Sequence, residues 1–161
     1  ILIMKKIHNS WKEQPGYNCF GCAPNNPHGL QMEFYEDGDD IVSFWHPTID
    51  SQGWINVLHG GIQAALADEI ASWVVFRKLQ TMGVTAKMEV RYRKAISTND
   101  KQITLRAHLL EHRRNTADIE VNIYNEAGEI CNTTRCLYFV QPQDKAIAAG
   151  FVPFELEEEN L

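Results

Sequence analysis

Hydrophobic and polar positions alternate along this chain in two different periods, and the change of period divides it. Leu30-Gln31-Met32-Glu33-Phe34-Tyr35 alternates every second residue and predicts a strand, Glu36 to Asp40 reads as a turn, and Ile41 to Trp45 returns as the second arm of a hairpin. Pro47 to Val57, interrupted by Gly53, predicts a loop. A helix is then expected from near Gly60 to Gln80, because no proline intervenes and Gly83 follows. Its apolar residues Ile62, Ala65, Leu66, Ile70, Trp73, Val74 and Leu79 cover much of the helical wheel, so the helix needs partners on more than one side. From Val84 the period returns to two. Val84–Arg93, Gln102–Leu110, Ala117–Tyr124 and Ile130–Phe139 read as strands, with turns at Ser97–Asp100 and Asn125–Gly128, the pattern of a meander.

A hairpin, one long helix and four more strands predict an α+β fold in which an antiparallel sheet curls around the central helix. The C-terminal half has no crossover helices, which excludes a doubly wound parallel sheet. Residual apolar surface and edge strands would pair subunits. Residues 1–28 are broken by Pro15, Gly16, Gly21, Pro24 and Pro27 and form an irregular leader; 29–142 form the domain, and 143–161 an extension ending in a frayed acidic tail around Glu155, Glu157, Glu158 and Glu159.

With 161 residues and 44% hydrophobic positions the chain suits one domain with one core. Its formal net charge of −6 argues against a general nucleic-acid surface. No apolar run is long enough to span a membrane and the opening Ile1–Lys6 lacks a secretory pattern, so a cytoplasmic location is expected. Four cysteines make no disulfide framework in a chain of this size. Cys19-Phe20-Gly21-Cys22, with His28 six residues on, invites a metal reading. A structural zinc site usually needs four ligands, and neither a second such pair nor a distal histidine pair is present. The segment is therefore expected to be a packed turn, and no metal is assigned.

The most informative chemistry lies in His59-Gly60-Gly61 and Asp68. A glycine pair at a helix N-terminus leaves backbone N–H groups open to a developing negative charge, with Gly60 the natural donor and Gly61 shaping the start. Asp68 follows two turns later among Ala64, Ala65, Leu66 and Ala67, where a carboxylate needs a reason; a bland one is pairing with Arg77. His59 would either donate to a substrate or orient the loop. Asn56 would either hold a carbonyl or water or cap the loop. Ser72 lies one turn past Asp68, and its hydroxyl has the alternative of bonding a preceding carbonyl. Glu69 points about a quarter-turn away and is a second candidate acid.

The order of elements together with these residues resembles the hotdog-fold acyl-CoA thioesterases of the phenylacetate-degradation type. The nine-residue interval from His59 to Asp68 matches that family, as does an asparagine three positions before the motif, Asn56. Asn18–Cys22 and Asn26–Leu30 are similar to the leader of a related bacterial subgroup, and the likeness runs from about Asn18 to Val140. The resemblance implies a homodimer or homotetramer with active sites at subunit interfaces, coenzyme A present as part of the substrate, and no required cofactor. It implies that Asp68 activates water or attacks the thioester itself, that Gly60 holds the carbonyl oxygen, and that Ser72 helps orient the water. Arg91, Arg93, Lys94, Arg113 and Arg114 would meet the coenzyme A phosphates, unless they form an ordinary charged rim. Hotdog proteins also include dehydratases and non-catalytic members, so acyl-CoA binding without turnover and dehydration of a hydroxyacyl thioester are the alternatives.

Overall fold

The computed structural model describes residues 3–157. Seven strands form one antiparallel sheet: β1 (Lys5–Lys6), β2 (Tyr35–Asp37), β3 (Asp40–Trp45), β4 (Gly83–Tyr92), β5 (Ile103–His112), β6 (Thr116–Tyr124) and β7 (Ile130–Val140). The order across the sheet is β1-β2-β3-β5-β6-β7-β4. Of the four strands that follow the helix, β5, β6 and β7 form a meander and β4 does not join it in sequence order. β4 leaves the central helix at the opposite side and becomes the far edge, paired with β7 alone.

The helix α1 (Gly60–Val74) lies across one face of this sheet and runs into a π turn over Val75–Leu79 that Gln80 closes in the left-handed region at φ 51°. Leu66, Ala67, Ile70, Ala71, Trp73 and Val74 are buried against the alternating inward positions of the strands, including Leu105, Ala107, Ile119, Val121 and Cys136. Period 3.6 meets period 2 at that contact, and both apolar faces leave water together.

The hairpin differs from its expected extent. Leu30, Met32 and Phe34 are buried and Gln31 and Glu33 exposed, as alternation requires, yet only Tyr35–Asp37 is strand. The Leu30 N–H donates to the Phe20 carbonyl and that of Met32 to Gly21, while Gln31 sits at φ 52°. These amides are satisfied by the leader turn instead of a neighbouring strand.

The leader and the C-terminal segment close the end of the barrel-like wrap together. Ile7 bridges Leu156, His8 N–H donates to the Glu155 carbonyl and Glu157 N–H to that of Lys6, so the tail is paired through Glu157 rather than frayed. Glu158 and Glu159 lie outside the described residues. After the short helix α2 (Gln143–Ala148), Phe151 and Phe154 join Trp11, Trp73 and Phe76 in an aromatic cluster, and Trp73 stacks on Phe34 with centroids 4.1 Å apart. Trp73 and Phe76 thus belong to the core.

Candidate active site

The loop before α1 is held by backbone bonds at both sides, Leu58 N–H to the Ile96 carbonyl and His59 N–H to Ser51. Asn56 occupies the left-handed region at φ 62°, a conformation asparagine tolerates, and its side chain is exposed. His59 is the N-cap: its Nδ1 accepts the Gly61 N–H at 2.9 Å. Because Gly61 spends its amide on the cap and Gln63 donates to the His59 carbonyl, the Gly60 and Ile62 N–H groups are the donors of the first turn without a protein partner among the described residues, Gly60 being the outermost. A Cβ on Gly61 would lie 3.1 Å from the imidazole, and one on Gly60 would lie 3.3 Å from the Tyr92 ring, whose Oη donates to the Gly60 carbonyl at 2.7 Å. Glycine permits both close approaches.

One turn into the helix, the buried Gln63 accepts from Asn132 Nδ2 at 2.9 Å, and Asn132 accepts in turn from Thr134 at 2.8 Å. This satisfied network fixes the rotation of α1 against β7. The same register carries Asp68. Thr85 and Tyr138 are directly opposed on β4 and β7, and both hydroxyls donate to Asp68 Oδ1 at 2.6 Å, while Tyr138 also reaches the Asp68 carbonyl at 2.7 Å. A bulge between Thr85 and Lys87 turns the strand at this point. Asp68 Oδ2 has no protein donor among the described residues. Burial, with the nearby Asp68 charge, pushes the Tyr138 phenol far up, so it stays a donor; the same causes push the Cys136 thiol up to about 12.

Arg77 does not pair with Asp68. Its guanidinium donates to Glu36 at 2.7 and 3.2 Å and to the Phe154 carbonyl. The Ser72 hydroxyl donates to the Glu69 carbonyl at 2.6 Å, satisfying the preceding turn. The hydroxyls set on the carboxylate are those of Thr85 and Tyr138, neither of which the local sequence marks out. Tyr138 shares the inward alternation of Cys136 and Val140, whereas Thr85 alternates with Val84 and Ala86 and reaches Asp68 only through the bulge and the pairing of β4 with β7.

Residues 55–132 match the thioesterase superfamily. The match covers just under half of the chain, and the fold is the hotdog fold of solved thioesterases. A hypothetical thioesterase of Streptococcus pneumoniae, solved with coenzyme A, is 26% identical, with a TM-score of 0.64 over 70% of this chain and 87% of its own. A Haemophilus influenzae thioesterase is 22% identical, with a TM-score of 0.63 over 71% of this chain and 80% of its own. A Streptococcus mutans protein solved with acetyl-CoA shares the fold at 15% identity and a TM-score of 0.66, over 80% of this chain and 96% of its own. An uncharacterized Schizosaccharomyces pombe protein is 34% identical over 58 residues, 35% of this chain, and the chain spans 33% of its length.

The hotdog sheet separates the cationic residues into two groups. Arg91 and Arg93 line an open groove of ≈ 540 Å³ with Lys87, Glu89, Glu120 and Arg135, on the sheet face turned away from α1. Lys94 pairs with Glu129 beside them. Arg113, bonded to Glu111 at 3.0 Å, and the exposed Arg114 lie at the β5–β6 turn, toward the Val140 end of β7. Six strand residues separate Thr133 from Phe139, about 20 Å, so one hotdog chain does not bring the two groups to one phosphate.

Glu69, next to the candidate base, turns the other way. It lies beneath the leader turn, where its carboxyl oxygens are 3.6 and 3.7 Å from Cys19 Sγ and one accepts from Trp73 Nε1 at 3.3 Å. Hydrogen bonding from Cys22 holds the Cys19 thiol below its ordinary value, whereas burial and the Cys19 charge raise the Glu69 carboxyl above its own. His28 stands apart, exposed, with its N–H on Asn26.

Proposed function

We propose that this chain hydrolyses an acyl-CoA thioester, releasing a carboxylic acid and free coenzyme A, in an oligomer whose active sites combine two copies. The observation that carries this reading is the Asp68 carboxylate, with Oδ1 held by Thr85 and Tyr138 and Oδ2 without a protein donor among the described residues. An oxygen so placed suits a general base that takes a proton from water, or a nucleophile at the thioester carbon. The Gly60 N–H at the positive end of α1 suits the carbonyl oxygen as negative charge develops there. Ser72, one turn from Asp68, retains acceptor capacity for the same water. His59 serves by capping the turn and Asn56 by setting the loop.

Eight residues of helix separate Gly60 from Asp68, about 12 Å along the axis. A single carbonyl spans no such distance, so the Gly60 of one copy works with the Asp68 of another. β4 offers the means: it is a ten-residue edge strand, and Trp54, Ile55, Val84 and Tyr92 leave apolar surface exposed near it and near the helix start. Coenzyme A in the Streptococcus pneumoniae relative favours the thioester class, with Arg91, Arg93 and Lys94 and a second copy's Arg113 and Arg114 as phosphate contacts. This scheme requires no metal or redox cofactor in the reaction.

The test is thiol release from a panel of short, long and aromatic acyl-CoA esters. Wild-type protein turns over at least one class, and Asp68→Asn retains its fold and loses at least a hundredfold in kcat. Equal turnover by the two proteins contradicts the assignment; tight binding without product makes the chain a carrier instead.

A further inference from the structure

Three potential metal ligands converge where the leader crosses the central helix, outside the proposed thioester site. Cys19 and Cys22 come from the leader turn and Glu69 from α1, and their ligand atoms all lie within 4.8 Å of one another. The 3.6 and 3.7 Å sulfur–oxygen separations match the edge of a tetrahedron built on zinc–sulfur and zinc–oxygen bonds, about 3.5 Å. Cys22 is 3% exposed, and Glu69 forms no salt bridge with Lys or Arg among the described residues. Enclosed anionic donors without a cation call for one, or for protons.

The surroundings already hold the donors in place. Trp73 Nε1 fixes one carboxyl oxygen; Tyr17 Oη lies 2.8 Å from Cys22 Sγ and is itself held by Asn9 Nδ2 at 3.1 Å. Such outer contacts orient ligands and set their basicity. The turn is wound so tightly that a Cβ on Gly21 would lie 2.3 Å from Glu69 Cδ, so glycine is needed for the carboxylate to reach the two sulfurs. Cys19 is only part-buried, which leaves a fourth position to solvent.

We propose that Cys19, Cys22 and Glu69 bind one zinc-class divalent cation that ties the leader to α1, one residue from Asp68. Binding replaces the protons of the two thiols and the carboxyl by metal bonds and releases those that are present to solvent. The role is structural, and it stands or falls independently of thioester hydrolysis.

The full chain, stripped with chelator and reloaded with zinc, should retain one equivalent after desalting and melt at a higher temperature than the stripped chain. Cobalt(II) should give thiolate-to-metal charge-transfer bands in the near ultraviolet. Cys19→Ser should abolish the bands, Glu69→Gln should weaken zinc binding at least tenfold with an unchanged far-ultraviolet spectrum, and Cys131→Ser should leave both intact. Cys22→Ser should abolish the bands as well, and should that variant fail to fold, the part-buried Cys19 and Glu69 variants still decide the matter. Retention of no stoichiometric metal, cobalt bands that survive Cys19→Ser, or a Cys19–Cys22 disulfide that forms equally with and without zinc would overturn it.

Discussion

Tyr138 determines which oxygen Asp68 presents. With its phenol and the Thr85 hydroxyl both on Oδ1, the carboxylate is anchored on one side and open on the other. Tyr138→Phe keeps the ring in the core and removes one donor, so kcat for thioester hydrolysis should fall about tenfold with little change in KM; Thr85→Val should act alike. A rise in KM at constant kcat would assign these residues to substrate binding instead. At the other end of the helix the amide itself can be removed. Proline is tolerated at the first helical position, and His59 at φ −57° and ψ 131° already has the backbone a residue before proline prefers. Gly60→Pro should preserve helicity by circular dichroism, with Tyr92 shifting slightly, and lower kcat by about a hundredfold or more. Normal turnover in that variant would remove Gly60 from the carbonyl site.

Between elements, two polar clamps set α1 on the sheet: Gln63 with Asn132, and Asp68 with Tyr138. Asn132→Ala strands the Gln63 carbonyl in the core and should cost about 2 kcal/mol, read as a lower melting temperature. A third contact fastens the end of the helix. Burial alone would raise Glu36, but Arg77 and Lys78 outweigh it and hold its carboxyl below the ordinary range. A carboxylate lowered in the folded state stabilises fully above its unfolded pKa and loses that contribution as pH falls through the folded value. Thermal melts should therefore decline through the acidic carboxylate range, and Glu36→Gln should flatten that decline; an identical acid limb would show the pair to be inert. These contacts also mark how far the chain could be read unaided. Strands and helix were legible from periods of two and 3.6, because β3, β5, β6 and β7 each bury one face against α1. The segment Leu30–Phe34 misled because carbonyls of a leader turn, rather than of a strand, accept from its amides. Asp68 and Gly60 stood out locally, whereas Tyr138 and Thr85 join them only through β4 crossing to the edge beside β7. Glu69 likewise meets Cys19 and Cys22 only because the leader folds back over the helix.

Across the whole molecule the decisive quantity is the distance along α1. A donor and a carboxylate about 12 Å apart serve one carbonyl only if copies of the chain face each other. Light scattering coupled to gel filtration should accordingly find a dimer or a larger even assembly, and an active monomer would be incompatible with the account. The most direct measurement is complementation between two inactive chains. Asp68→Asn and Gly60→Pro, co-expressed in equal amounts, form mixed dimers in which one of the two sites has both wild-type groups, so about a quarter of wild-type thioesterase activity should return. If each site were built from a single chain, every site in the mixture would carry a defect, and the mixture would stay as inactive as its components.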